Sequence, residues 1–135
     1  MSLQLEKVHL IACNFKLKDS KDCSYSLELK HYESQESSRN DGFEYTAILT
    51  FNIMSRVRKP VMAFECTFAL GYKGDEEGRK RLKEHIVVAH SIPYLREFVS
   101  NVTMRSPLPV LVIAPVNAPE LWREYCKKHS KEKFA

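Results

Sequence analysis

The sequence predicts an α+β fold, with a four-stranded antiparallel sheet followed by two helices. Two observations carry that prediction. Apolar residues alternate with period two up to Tyr72, and beyond it they recur at helical spacing. A third bounds it: 135 residues are one domain's worth of chain, taken as residues 1–135. A chain of that size buries enough surface to need no metal or disulfide staple.

The first strand alternates irregularly. Leu3 and Leu5 share one parity, Val8, Leu10 and Ala12 the other, and Cys13, Phe15 and Leu17 switch back. Either a bulge or a strand buried on both faces produces this pattern. The polar stretch 16–24 crosses to a second strand marked by Tyr25, Leu27 and Leu29. The run Glu33 to Gly42 has no apolar residue but has Ser, Asn, Asp and Gly, so it reads as a loop.

The clearest strand runs from Phe43 to Val57. Phe43, Tyr45, Ala47, Leu49, Phe51, Ile53 and Val57 share one face, and Glu44, Thr46, Thr50, Asn52 and Arg56 the other. Met62, Phe64, Cys66, Phe68, Leu70 and Tyr72 repeat the pattern. The short polar link Ser55 to Pro60 joins the two as a hairpin.

Asp75, Glu76 and Glu77 suit a helix N-terminus, where the dipole favours anions. Leu82, Ile86 and Ala89 follow at helical spacing. Pro93 predicts a kink or a new start. Leu95, Phe98, Val99 and Val102 then form a stripe that ends before Pro107. The prolines around Val110 to Ala114 favour an extended segment. Asn117 caps a final helix, with Glu120 as capping-box partner and Leu121, Trp122 and Tyr125 as its apolar face.

Composition narrows the function. With 44% hydrophobic and 28% charged residues the chain is not disordered. The net charge of +4 is confined to residues 73–135, which hold 12 basic and eight acidic groups. The basic residues form two short clusters, 79–83 and 127–133, without interleaved aromatics. They read as solvated helix faces, not as a nucleic-acid track. No run is long and apolar enough to span a bilayer, and the N-terminus lacks a signal-peptide pattern. The expectation is a cytoplasmic protein without membrane insertion. Cys13, Cys23, Cys66 and Cys126 have no C-x-x-C spacing and read as free thiols. Cys126 and His129 lie one turn apart but lack a second ligand pair, so no metal is expected.

No catalytic motif occurs. There is no H-E-x-x-H, no G-x-S-x-G and no phosphate-cradling loop. Gly71 to Gly78 enters a helix from a strand, but Asp75, Glu76 and Glu77 would repel a phosphate there. The expectation is no enzyme and no cofactor. An apolar surplus remains instead. Ile48 and Met54 sit on the otherwise polar face of their strand, and Leu108 to Val116 is strongly apolar for a connection. Such surfaces build interfaces or pack across their own sheet.

Pro93-Tyr94-Leu95-Arg96-Glu97, an arginine at 105 and the run Ile113-Ala114-Pro115-Val116-Asn117 form a pattern that resembles the SecB-like protein-export chaperone family. That family has a P-Y-x-R-E helix and an L-A-P-V-N-like approach to its last helix. The match covers roughly residues 90–125; upstream it rests on element order alone. The resemblance implies a homotetramer, a dimer of dimers with helices sandwiched between two sheets. It implies a molecular chaperone, a holdase for unfolded polypeptides that needs no ATP because holding is mass action. Its grooves would involve the crossover after the first strand, the sheet, and the loop 106–116. On this chain the candidate groove residues are Phe15, Leu17, Tyr25 and Leu27 with Leu108, Leu111 and Ile113. Glu65 roughly matches the family's docking position for SecA, the translocase motor. Arg96 and Glu97 would make buried polar contacts between helices.

Two departures widen the functional reading. Export chaperones of this family tend to be acidic, whereas this chain is basic. The crossover also lacks the aromatics of a deep subsite. A dedicated chaperone of one partner, such as an antitoxin, and a non-chaperone interaction protein on the same fold therefore stand beside the export holdase.

Overall fold

The computed structural model describes residues 3–17, 25–39, 42–55, 62–104 and 115–133. Four strands, β1 (Leu3–Leu17), β2 (Tyr25–Arg39), β3 (Gly42–Ser55) and β4 (Met62–Gly74), precede three helices. These are the short α1 (Glu76–Arg81), then α2 (Glu84–Met104) and α3 (Ala118–Lys133). All strand pairs are antiparallel and the sheet order is β1-β4-β3-β2. The long hairpin is therefore central and the first two strands are the edges.

The expected alternation of the central strands holds. Phe43, Tyr45, Ala47, Leu49, Phe51 and Ile53 of β3 are buried, as are Phe64, Cys66, Phe68, Leu70 and Tyr72 of β4. They meet one helical layer. Phe98 of α2 packs edge-on against Phe64 and Phe68, with ring centroids 6.0 and 6.5 Å apart. Trp122 of α3 meets Tyr32 of β2 edge-on at 4.9 Å. So α2 lies over β4 and α3 over β2.

Bulges explain the irregular first strand. The β1–β4 register shifts between Leu5 and Lys7 and again between Leu10 and Ala12, leaving Glu6 and Ile11 as extra residues. Each shift restores the apolar positions to one face: Leu5 stands opposite Tyr72, Val8 opposite Leu70, Leu10 opposite Phe68 and Cys13 opposite Cys66. Ala12, grouped with Val8 and Leu10 in the sequence, instead stands opposite Thr67 on the other face.

The stretch expected to be a loop, Glu33 to Gly42, is mostly strand. β2 runs to Arg39, which stands opposite Gly42. Residues 33–38 are exposed and pair along Phe43–Ile48 of β3, so this arm forms a polar edge beside the core. Polar side chains suit such an edge because they discourage pairing with another chain. Arg79 of α1 anchors the arm. Its Nε and Nη2 donate to the two carboxylate oxygens of Glu36 at 2.5 and 2.9 Å, and its guanidinium lies 5.1 Å from the Tyr45 ring centroid. One residue of the 79–83 cluster thus has a structural partner. At the turn of this arm a Cβ on residue 42 would strike the Gly74 carbonyl oxygen, so only glycine fits there.

The helix caps agree with the sequence. Asp75 is the N-cap of α1, its Oδ1 accepting from the Gly78 amide at 2.8 Å. Asn117 Oδ1 accepts from the Glu120 amide at 3.1 Å at the start of α3. The break between helices falls elsewhere than expected. It lies at Leu82, the extended C-cap of α1, and α2 runs unbroken through Pro93. Pro93 removes one hydrogen bond, to the Ala89 carbonyl. Ala89 and Pro93 both face solvent, where water can satisfy that carbonyl. Ala89 is accordingly not on the apolar stripe, which is Val88, Ile92, Leu95 and Val99. Ser91 and Thr103, buried in the same face, donate to the Val88 and Val99 carbonyls of their own helix.

Candidate functional site

The helical layer does not cover the whole sheet. On the β1 side of α2 an open cleft of about 220 Å³ is lined by Val8, Leu10, Phe68, Tyr94, Glu97, Phe98 and Asn101. The bulges of β1 position Val8 and Leu10 in it by keeping them on the helix-facing side. The helix supplies the other wall through Tyr94, Phe98 and Asn101, whose spacing of four and three residues places them on one face. Leu10 is 41% exposed and Tyr94 39% exposed, and Ile11 beside them is 54% exposed. Large apolar side chains are open to solvent on either side of this cleft. Glu97 and Asn101 add polar groups to the same wall.

Of the residues expected to form the groove, the structure unites some by register. Phe15, Phe64, Ile53 and Leu27 occupy one rung across all four strands. Leu17 stands opposite Met62 and Tyr25 opposite Ser55, two rungs further toward the same end. Phe15 and Leu17 lie on β1 and Tyr25 and Leu27 on β2, opposite edge strands three inter-strand spacings or roughly 14 Å apart, with the buried Phe64 and Ile53 between them. Leu27 is half-buried against the core. Leu108, Leu111 and Ile113 lie outside the described residues, as does the crossover 18–24.

Glu65 faces the side of the sheet away from the helices. Its Oε2 accepts from Lys30 Nζ at 2.7 Å, both side chains being about half exposed. Around it are the Thr50–Thr67 hydroxyl pair at 3.0 Å and the Asn52–Glu28 contact at 3.3 Å. Arg96 and Glu97 differ from the expectation of buried contacts between helices. Glu97 is exposed. Arg96 is half-buried, and its Nε is buried without a hydrogen-bond partner.

The titratable groups near the core are structural. The Tyr72 hydroxyl bonds His90 Nδ1 at 2.9 Å; burial raises the tyrosine and lowers the histidine relative to their ordinary values. Burial, followed by the hydrogen bond to Tyr45, also raises Tyr32. At neutral pH these groups are uncharged hydrogen-bonding partners. His129 is turned toward its own helix, with Nδ1 2.9 Å from the Tyr125 carbonyl oxygen. Among the described residues no three His, Cys, Asp or Glu side chains converge on a metal position, and no helix is long and apolar enough to cross a membrane.

Sequence reasoning missed the cleft. Its signal was present in the parity switches of β1 and in Tyr94 and Glu97 of the P-Y-x-R-E run, but the opening itself depends on where α2 settles on the sheet.

Known structures share this architecture. The SecB-like chaperone Rv1957 of Mycobacterium tuberculosis, in complex with a ChAD peptide from the antitoxin HigA1 (Rv1956), superposes with a TM-score of 0.63 at 16% identity, over 84% of this chain and 90% of that one. A protein of unknown function from Streptococcus agalactiae superposes with a TM-score of 0.56 at 14% identity, over 85% and 98%. No family model and no curated protein matches the sequence. The chain has the SecB-like α+β fold.

Proposed function

We propose that this protein is a chaperone of the SecB-like kind, an ATP-independent holdase that binds unfolded or extended polypeptides, and not an enzyme. The observation that supports this most is the open apolar cleft between β1 and α2 on a SecB-like fold. A holdase needs apolar contact and little side-chain specificity, and the cleft offers Val8, Leu10, Tyr94 and Phe98 with polar groups beside them. The proposed assembly is a homotetramer, and the proposed location is the cytoplasm. The sheet face carrying Glu65 is where an export chaperone would meet the SecA motor.

A second reading, a dedicated chaperone of one partner, is favoured by two observations. The structurally similar mycobacterial chaperone is in complex with an antitoxin peptide, and this chain carries +4. The test is suppression of aggregation. A chemically unfolded client is diluted into buffer with and without the protein, and light scattering follows the aggregate. Suppression for unrelated clients supports the general holdase. Suppression only for the product of an adjacent gene supports the dedicated chaperone. No suppression in either case refutes both and leaves an interaction protein.

A further inference from the structure

Cys13 of β1 and Cys66 of β4 stand directly opposite each other in the ladder. Their Sγ atoms are 3.7 Å apart. Residues so placed in an antiparallel pair have Cα atoms about 4.5–5.5 Å apart, within the roughly 4.4–6.8 Å that disulfides span. Rotation of the two side chains brings the sulfurs to about 2 Å without moving either strand. The two thiols differ in access: Cys13 is exposed and Cys66 is buried.

We propose that Cys13 and Cys66 form a redox couple, which a small disulfide oxidant such as glutathione disulfide converts into a cross-strand bond tying the edge strand β1 to β4. The exposed Cys13 reacts first. Its thiolate attacks one sulfur of the oxidant, the oxidant's S–S bond breaks, and one glutathione leaves as thiolate. That thiolate takes up the proton lost from Cys66. The Cys66 sulfur then attacks Cys13 Sγ, the mixed Cys13–glutathione S–S bond breaks, and the second glutathione leaves as thiolate and takes up a proton equivalent to the one Cys13 lost. Two protein thiols are oxidised and one glutathione disulfide is reduced to two thiols. Burial keeps Cys66 out of reach of a solvent oxidant and raises both thiols above their ordinary range. The small thiolate fraction slows the first attack, so the bond forms slowly unless the oxidant accumulates. Cys13 lies just past the Ile11 bulge from Leu10, so the bond fixes the β1–β4 pairing next to the cleft. This inference does not depend on the chaperone reading.

The full-length protein is treated with glutathione disulfide or with a reductant, its free thiols are blocked, and non-reduced peptides are mapped by mass spectrometry. The expected result is a Cys13–Cys66 linked peptide pair, a single-chain mass on non-reducing electrophoresis, and a melting midpoint raised by up to roughly 10 °C. Cys13→Ser, an exposed and conservative change, abolishes all of these, whereas Cys23→Ser and Cys126→Ser do not. Glutathione retained on Cys13, a bond from Cys13 to Cys23 or to Cys13 of a second chain, or an unchanged thiol count overturns the proposal.

Discussion

Leu10→Asp is the sharpest probe of the cleft. Leu10 is 41% exposed, so about three fifths of its burial is already realised in the folded chain. Fully burying a leucine contributes about 1.5–3 kcal/mol, so losing that part costs roughly 1.5 kcal/mol of stability and leaves the fold intact. The exposed two fifths is what a client can cover, worth about 1 kcal/mol. A client seated there would also have to desolvate the new carboxylate, close to Glu97, at a cost of about 1 kcal/mol or more. The sum is about 2 kcal/mol, or roughly thirtyfold in affinity. The assay is fluorescence anisotropy of a labelled unfolded polypeptide, with circular dichroism and light-scattering mass as controls. Ala89→Asp, on the exposed side of α2, should leave binding unchanged. Unaltered affinity in Leu10→Asp would refute the assignment of the cleft to client binding. A fall in assembly mass would refute it differently, by making the cleft a subunit interface.

Three further outcomes follow from particular contacts. Tyr125 Oη accepts from the Tyr32 amide at 3.2 Å and donates to the Tyr32 carbonyl at 3.3 Å, so α3 satisfies backbone groups on the β2 edge; Tyr125→Phe should cost about 1–2 kcal/mol in urea unfolding, with the m-value unchanged. Asn117→Ala removes the α3 cap and should cost about 1 kcal/mol in the same measurement. The hydrogen bonds from Arg79 hold the Glu36 carboxyl below its ordinary value of 4.5. This contribution is therefore complete above that value and is lost as pH falls through the lower folded one. The pair is well exposed, so the effect is under about 1 kcal/mol, and thermal melts of Glu36→Gln between pH 3 and pH 6 (roughly the carboxylate range) should show a shallower acid-side slope than the parent.

Much of the fold was legible because β3 and β4 each have one wet and one dry face, which writes period two directly into residues 43–53 and 64–72. The β1 parity switches were legible as a bulge or a doubly buried strand, and only the register decided between them. The β2 arm was illegible for a physical reason. Residues 33–38 are wet on both sides, so neither face selects apolar residues and no period exists to read. Pro93 misled because the missing hydrogen bond falls on the solvent side of α2, where it costs little. The cleft was hidden because Leu10, Tyr94 and Phe98 each look like core; their partial exposure follows from α2 sitting over β4 and not over β1. Of the groove candidates, Phe15 and Leu27 share a rung on opposite edge strands, a juxtaposition that strand order decides and no local pattern records.

The bulged edges make this sheet unevenly tolerant of lost residues. Glu6 and Ile11 in β1 and Lys30 in β2 each sit where the register steps over an unpaired residue, whereas β3 and β4 pair without a step. Deleting Glu6 would join Leu5, opposite Tyr72, directly to Lys7, opposite Gly71, and no side chain would change faces. Deleting Ile48 would instead turn half of β3 over, sending Phe43, Tyr45 and Ala47 to solvent. The edge strands thus hold slack that the centre lacks. In a library of single-residue deletions scored for soluble folded protein, the survivors within the sheet should cluster around positions 6, 11 and 30. Survivors spread equally through β3 would show that register is less tightly held than the ladder implies.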